Sequence, residues 1–147
     1  MTKIAYGKLA AGGALAAILM NICDYVSNNF ILASDWERVA RLRNIDMDVM
    51  GGVPATIGYV LVNIALGFLV VLTYAAIRPR FGRGPATALV AAFILFVPQA
   101  LAQSTLVLGG FFSWDVFVRS QALVLVSFLA GALSGGWIYS EPEDDPD

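Results

Sequence analysis

Histidine is absent from this chain, and cysteine occurs once, at Cys23. The absence of histidine excludes histidine-ligated haem, most zinc and copper sites, and Ser-His or Cys-His catalysis. A single cysteine excludes an intrachain disulfide and a thiolate cluster, and Cys23 is best interpreted as a small apolar residue. Charged residues are also scarce, at 14% of 147 positions. We therefore expect no cofactor, no metal site and no nucleic-acid partner.

Long apolar runs dominate what is present, because 59% of the residues are hydrophobic. Four runs cover about residues 9–32, 53–77, 85–108 and 116–139. Each is long enough to cross a hydrocarbon core about 30 Å thick, which requires about 20 helical residues. The sequence predicts an all-α fold, an integral membrane four-helix bundle over residues 1–140. Residues 141–147 are acidic and interrupted by proline, and are predicted to be a disordered tail.

Cationic residues predict the orientation of the bundle. Lys3 and Lys8 precede the first run, and arginines crowd the turn between the second and third runs. Because cytoplasmic segments are enriched in Lys and Arg, both termini are predicted to be cytoplasmic. Three further arginines in the first outer connection count against this assignment, although acidic residues accompany them. The first run is expected to remain as a helix, because it exceeds the usual signal-peptide length and lacks a cleavage site.

The first outer connection carries a possible helix start. Ser34 is followed three residues later by Glu37, which is the spacing of a capping box. A short interfacial helix over about residues 35–44 is predicted, lying on the membrane. Its lipid-facing residues would be Trp36, Val39 and Ala40. The alternative is an ordinary exposed loop.

The predicted turn between the second and third helices reads YAAIRPRFGRGPATA over residues 74–88. It resembles a signature, roughly YAAIRPRFGxGPxTA, of small bacterial four-span membrane proteins. The Gly- and Ala-rich first helix, with Asn21 and Asn28 before a tryptophan-containing loop, is also similar. That family has no assigned activity. The resemblance therefore implies the fold and a bacterial inner-membrane location, and it transfers no catalytic residue.

The same turn suggests an anion site. Pro79 and Gly82 are expected to close a tight reversal, and Pro85 suits the first turn of the third helix. Free backbone N–H groups beside three arginines favour a lipid phosphate as ligand. These arginines are Arg78, Arg80 and Arg83. The alternative is that they only set the orientation of the chain.

Polar residues recur inside the predicted spans, mostly on one side of the membrane. On the first helix, Asn21, Asp24 and Asn28 share one face, which continues through the small residues Gly13 and Ala17. The other helices contribute Asn63, Gln99, Gln103, Arg119 and Gln121. All of them are expected between the midplane and the outer surface. We therefore predict a polar pocket that opens outward and is closed by an apolar inner half.

Asp24 has two competing interpretations. A charged carboxylate inside a membrane costs at least about 2.5–3.5 kcal/mol, so we expect it to pair with Arg119, to bond an Asn or Gln amide, or to stay protonated. Such side chains can bind helices together at about 0.6 kcal/mol per hydrogen bond. Alternatively, Asp24 contacts a ligand or ion, because intramembrane ionisable residues frequently mark functional sites.

The fourth helix carries small residues at every fourth position. Ser127, Gly131 and Gly135 form this face, which includes a GxxxG pattern typical of close helix packing. The first helix carries a similar face, and only one of the two is expected to be used within the bundle. The other would then be available to a second copy of the chain or to another membrane protein.

These features predict a non-enzymatic accessory or interaction subunit of a membrane assembly or homo-oligomer. Its expected partners are membrane lipids and either another copy or another membrane protein. The alternative is a binding protein or transporter for a small polar or cationic solute held near Asp24. An enzyme is disfavoured, because only one carboxylate lies well inside the spans and no histidine base accompanies it.

Overall fold

Four long helices form the body of the protein, and the computed structural model describes residues 4–139. Helix α1 (Tyr6–Val26) continues into a π-turn over Ser27–Ile31. The remaining helices are α2 (Ala33–Arg43), α3 (Met47–Gly51), α4 (Val53–Phe81), α5 (Pro85–Leu108) and α6 (Trp114–Ile138). Within residues 4–139, four helical stretches are long and apolar enough to cross a membrane. The predicted all-α fold with four spans is therefore confirmed, while the predicted tail and Lys3 lie outside the described residues.

Helix α5 occupies the predicted residues 85–108, whereas α4 runs further than expected. Pro79 was predicted to lie in the reversal but lies inside the last part of α4. The Gly82 N–H donates to the Arg78 carbonyl over 2.9 Å and closes the final turn beyond the proline. The reversal is made by Gly82 and Gly84, whose φ values of 83° and 127° suit glycine.

The four long helices pack as a bundle with a rhombus-shaped cross-section. Helix α1 contacts α4 and α6, and α5 contacts the same two helices from the other side. Helices α1 and α5 therefore lie diagonally opposite, whereas α4 and α6 meet across the centre. We call the end with the α4–α5 reversal the turn end. The other end, which carries α2 and the α5–α6 connection, is the loop end.

The apolar core occupies the bundle from its middle to the turn end. Its residues include Met20, Val70, Val71, Tyr74 and Phe128. The backbone N–H of Ala5 donates to the hydroxyl of Tyr139 over 3.3 Å and ties the first helix to the last at this end. The half of the bundle that was expected to be an apolar plug is therefore its best-packed part.

Glycines bring the helix backbones into direct contact in this half. A Cβ added to Gly67 of α4 would lie 2.5 Å from the backbone nitrogen of Ala17 in α1. A Cβ added to Gly12 of α1 would lie 2.7 Å from the carbonyl oxygen of Gly135 in α6. The small-residue faces of both the first and the fourth spans are thus used within the bundle. The expectation that only one of them packs internally is wrong.

The first connection does contain a helix, α2, but its start and its buried face differ from the prediction. Leu32 occupies the N-cap position without a side-chain hydrogen bond, so Ser34 lies inside the helix and the capping box does not form. Val39 and Ala40 are buried against the protein rather than facing lipid. Helix α2 is held to the end of the bundle by the pairing of Asp35 with Arg119 of α6 over 3.0 Å, which accounts for this burial.

We predict that Gly67→Ala separates α1 from α4. The new Cβ would meet backbone atoms, which cannot rotate away, so the free energy of unfolding should fall by about 1–3 kcal/mol. Gly58→Ala is the matched control, because it lies on the same helix and a Cβ there meets nothing within 4 Å. Thermal denaturation of both variants in one detergent measures the difference. Equal melting temperatures would contradict the close approach at Gly67.

Candidate functional site

Asp24 anchors a short hydrogen-bonded group in the loop-end half of α1. Asn28 donates from Nδ2 to Asp24 Oδ1 over 3.0 Å and to the Asp24 main-chain carbonyl over 2.9 Å. The indole N–H of Trp36 in α2 donates to Asn28 Oδ1 over 2.8 Å. The Asn28 amide therefore connects the carboxyl group of Asp24 directly to helix α2.

The π-turn lies at the centre of this arrangement. Its defining bond runs from the N–H of Leu32 to the carbonyl of Ser27 over 2.8 Å, one residue wider than an α-helical bond. Asn28 lies within this widened turn, between Asp24 and Trp36. Single π-turns of this kind occur frequently at functional sites, because the extra residue changes the direction of the side chains around it. No sequence pattern indicated this turn.

A second amide reaches Asp24 from the neighbouring helix. The side chain of Asn63 in α4 approaches the Asp24 carboxyl group and interacts with it. Asn21, which shares the face of Asp24, instead donates to the carbonyl of Ala17 in its own helix over 2.9 Å. The structure thus brings Asp24, Asn28 and Asn63 together, and we call these three residues the Asp24 group.

The predicted glutamines lie at a similar height but in a different interface. Ser127 donates to the carbonyl of Met20, and the ring of Phe96 packs against that of Phe128, which places these parts of α1, α5 and α6 at one level. Asp24 lies about one turn from Met20 towards the loop end, and Gln99 about one turn from Phe96 in the same direction. Asp24 and Gln99 therefore lie at a similar height along the bundle.

The glutamines nevertheless do not join the Asp24 group. Gln99 and Gln103 belong to α5, which lies diagonally opposite α1. Within the described part of the chain, the Oε1 atoms of Gln99 and Gln121 are buried without a hydrogen-bond partner. A buried acceptor without a partner costs about 1–3 kcal/mol, so these two oxygens favour a bound donor such as water.

Arg119 pairs with a different carboxylate from the one expected. It meets Asp35 of α2 through two parallel contacts, Nη1 to Oδ2 over 3.0 Å and Nη2 to Oδ1 over 3.1 Å. Its Nη2 also lies 2.7 Å from Asp115 Oδ2. Arg38 joins Asp35 over 2.8 Å and Asp115 over 3.3 Å. The proposed Asp24–Arg119 pair is therefore wrong, because the nearer α2 carboxylate holds the guanidinium.

We call Asp35, Arg38, Asp115 and Arg119 the ion-pair cluster. Asp35 is buried, at 5% exposure, whereas both arginines remain about half exposed. Bidentate contacts between Arg and carboxylate combine strength with fixed geometry, so the cluster holds α2 against the start of α6. In the sequence, Asp35 and Arg38 were considered only as charges of the first outer connection and its predicted short helix. The spacing of Asp115 and Arg119, four residues apart on a helix, was the available signal.

The three turn-end arginines have different environments. Arg78 is buried, whereas Arg80 and Arg83 are exposed. The N–H of Gly84, expected to be free for an anion, donates to the Tyr74 hydroxyl over 3.3 Å. Of the predicted phosphate site, Arg80 and Arg83 are therefore exposed, whereas Arg78 is buried and the Gly84 N–H already has a hydrogen bond.

The loop-end half of α4 is largely exposed. Six consecutive residues, 57–62, are all exposed, and together they cover every face of the helix. Asn63 and the Asp24 carboxyl lie at the point where this exposed half begins. The side of the Asp24 group that faces α4 is thus bordered by a half-helix whose residues 57–62 are exposed, with α3 touching it through the bond from the Tyr59 hydroxyl to the Met50 carbonyl over 3.3 Å.

The Asp24 group has the chemistry of a binding site. One carboxyl group and two amides can hold a cation or a hydrogen-bond donor, and residues 4–139 contain no cluster of three or more metal-ligating His, Cys, Asp or Glu side chains. No family model, curated protein or solved structure matches the chain. The fold by itself defines the class, which is an all-helical multi-pass membrane protein.

We predict that Asp35→Asn loosens the loop end. Hydrogen bonds to charged groups contribute about 1.5–3 kcal/mol, and solvent around the half-exposed arginines reduces the expected loss to about 1–2 kcal/mol. Glu37→Gln is the matched control, because Glu37 is an exposed carboxylate on the same helix. Thermal denaturation in detergent at low salt compares the two variants. An unchanged melting temperature for Asp35→Asn would show that the ion-pair cluster does not hold α2.

Proposed function

We propose that this protein is a non-enzymatic accessory subunit that packs against another membrane protein or a second copy of itself. In this proposal it resides in a bacterial inner membrane, with both termini in the cytoplasm and the loop end outside. Helix α2 then lies at the outer membrane surface. The resemblance of residues 74–88 to small bacterial four-span proteins supports the location.

The exposed half of α4 carries the proposal. A helix in a bundle normally packs one face against its neighbours, yet Ile57, Leu61 and Val62 are each more than half exposed. Ile57 and Leu61 share one face of the helix, whereas Tyr59, which is also more than half exposed, lies nearly opposite them. One lipid-facing side therefore cannot explain all of these residues. A partner helix lying along this half would provide the packing that the chain itself does not.

The GxxxG face does not serve as the proposed interface. Gly131 and Gly135 are already in contact with α1, and Gly135 also approaches Val71 of α4. Their use within the bundle leaves the α4 half as the best-supported surface for a partner. The partner would lie next to the Asp24 group, where its own polar side chains could reach Asn63.

We predict that Leu61→Cys, in a Cys23→Ala background, crosslinks in native membranes. Leu61 lies on the exposed half of α4, so an oxidant or a short bifunctional reagent should join it to the partner. Ile22→Cys is the matched control, because it is similarly exposed and lies on α1 near the same height. Gel electrophoresis detects the product, and its mass separates a second copy from another protein. If a thiol-reactive label modifies both cysteines equally and neither forms a crosslink, the proposal is contradicted.

Solute binding is the second candidate function, and the geometry of Asp24 favours it. This carboxyl group is only partly buried, and its two amide neighbours, Asn28 and Asn63, leave it without a cationic partner among the described residues. A small cation or polar solute would complete the site. Under this alternative the protein is a binding protein or transporter.

We predict for this alternative that Asp24→Asn abolishes ligand stabilisation without preventing folding. Choline at millimolar concentration should raise the melting temperature of the wild type and leave that of Asp24→Asn unchanged. Asn21→Ala is the control, because Asn21 shares the helix face but bonds only its own backbone. If choline and other small cations stabilise neither protein, and Asp24→Asn only loses about 0.6 kcal/mol per missing hydrogen bond, Asp24 binds helices together instead.

A further inference from the structure

A cleft of about 460 Å³ lies between α2 and the connection from α5 to α6. Its walls are mainly apolar and come from Val39, Leu42, Phe111, Phe112 and Val116. Two guanidinium groups, those of Arg38 and Arg43, also line it, and no carboxylate does. The cleft therefore combines apolar walls with positive charge, and it is separate from the Asp24 group.

Arg43 supplies the uncompensated charge of this cleft. Arg38 is neutralised by Asp35 and Asp115 in the ion-pair cluster. Arg43 instead donates from Nε to the carbonyl of Phe111 over 3.1 Å. Within the described residues its terminal nitrogens have no carboxylate partner. One side of the guanidinium is thus held by the backbone, while the other side remains available to an anion.

The connection from α5 to α6 is shaped to admit this guanidinium. The N–H groups of Gly109, Gly110 and Phe111 all bond back to carbonyls in the last turns of α5. Gly110 has a φ of 74°, and a Cβ there would lie 3.6 Å from the Nη2 atom of Arg43. The α5–α6 connection therefore presents the Phe111 carbonyl to Arg43. The missing side chain at Gly110 leaves space for the guanidinium group.

We propose that this cleft binds the phosphate group of an anionic phospholipid, with an acyl chain along its apolar wall. A guanidinium matches phosphate oxygens through two parallel N–H bonds. Leu42 is 78% exposed beside Arg43 and offers a contact for the chain. The cleft lies at the ends of the spanning helices α5 and α6, next to Trp114, which is the level of lipid headgroups. A soluble phosphate would leave the apolar wall uncovered.

Native mass spectrometry of the full chain in detergent tests the proposal. The probes are phosphatidylglycerol and phosphatidylcholine with identical acyl chains. We expect the tightest bound lipid to be phosphatidylglycerol. Arg43→Gln removes the charged hydrogen bonds and should weaken its binding by about tenfold or more. Leu42→Gln should also weaken it, because the acyl-chain contact is lost.

Arg41→Gln is the matched control, because Arg41 is an exposed arginine of the same helix that does not line the cleft. Its affinity for phosphatidylglycerol should equal that of the wild type. Glycerol 1-phosphate in excess serves as the soluble headgroup and should not displace the lipid. If circular dichroism shows that Arg43→Gln does not fold, Arg43→Lys replaces it. This variant keeps the positive charge and loses the bidentate hydrogen bonding of the guanidinium group.

Four results would each overturn the proposal. Phosphatidylcholine binding as tightly as phosphatidylglycerol would remove the role of charge. An equal loss in Arg41→Gln would indicate general surface attraction. Full displacement by glycerol 1-phosphate would indicate a soluble anion. Unchanged affinity in both Leu42→Gln and the Arg43 variant would place the lipid elsewhere on the protein.

Discussion

Direct contact between helix backbones is the constraint on which the rest of this structure depends. Lipid chains are as apolar as the side chains, so helices in a membrane gain little from hydrophobic burial and rely on close packing. Gly67 against Ala17, and Gly12 against Gly135, allow that packing. All of these residues lie in the turn-end half. The helices are therefore held tightly there, and their arrangement towards the loop end depends on other interactions.

The helices are held differently on the two sides of the loop end. On the side of α6, the ion-pair cluster and the Trp36–Asn28 bond hold α2 over the bundle. On the side of α4, Asn63 approaches Asp24, and residues 57–62 beyond it are exposed on every face. This asymmetry explains why the proposed partner surface lies on α4 and the proposed lipid cleft lies beneath α2.

Much of the fold could be predicted from composition alone, because a span needs only length and apolarity. The limits of α5 were predicted from its apolar run and from Pro85, which suits a first helical turn. The start of α2 was not predicted, because a capping box is a local pattern and the preceding π-turn had already started the helix at Ala33. Pro79 was also misplaced, because a helix can continue past a proline when the next turn closes its own hydrogen bond.

The sequence by itself determined the four spans, the shared face of Asp24 and Asn28, and the small residues that permit close packing. Helical periodicity is a local property, so it decides which side chains share a face. Only the tertiary structure decided that Arg119 pairs with Asp35, that both small-residue faces are used internally, and that residues 57–62 of α4 are exposed on every face. Each of these depends on the distance between segments far apart in the chain, and helical periodicity carries no information about that distance.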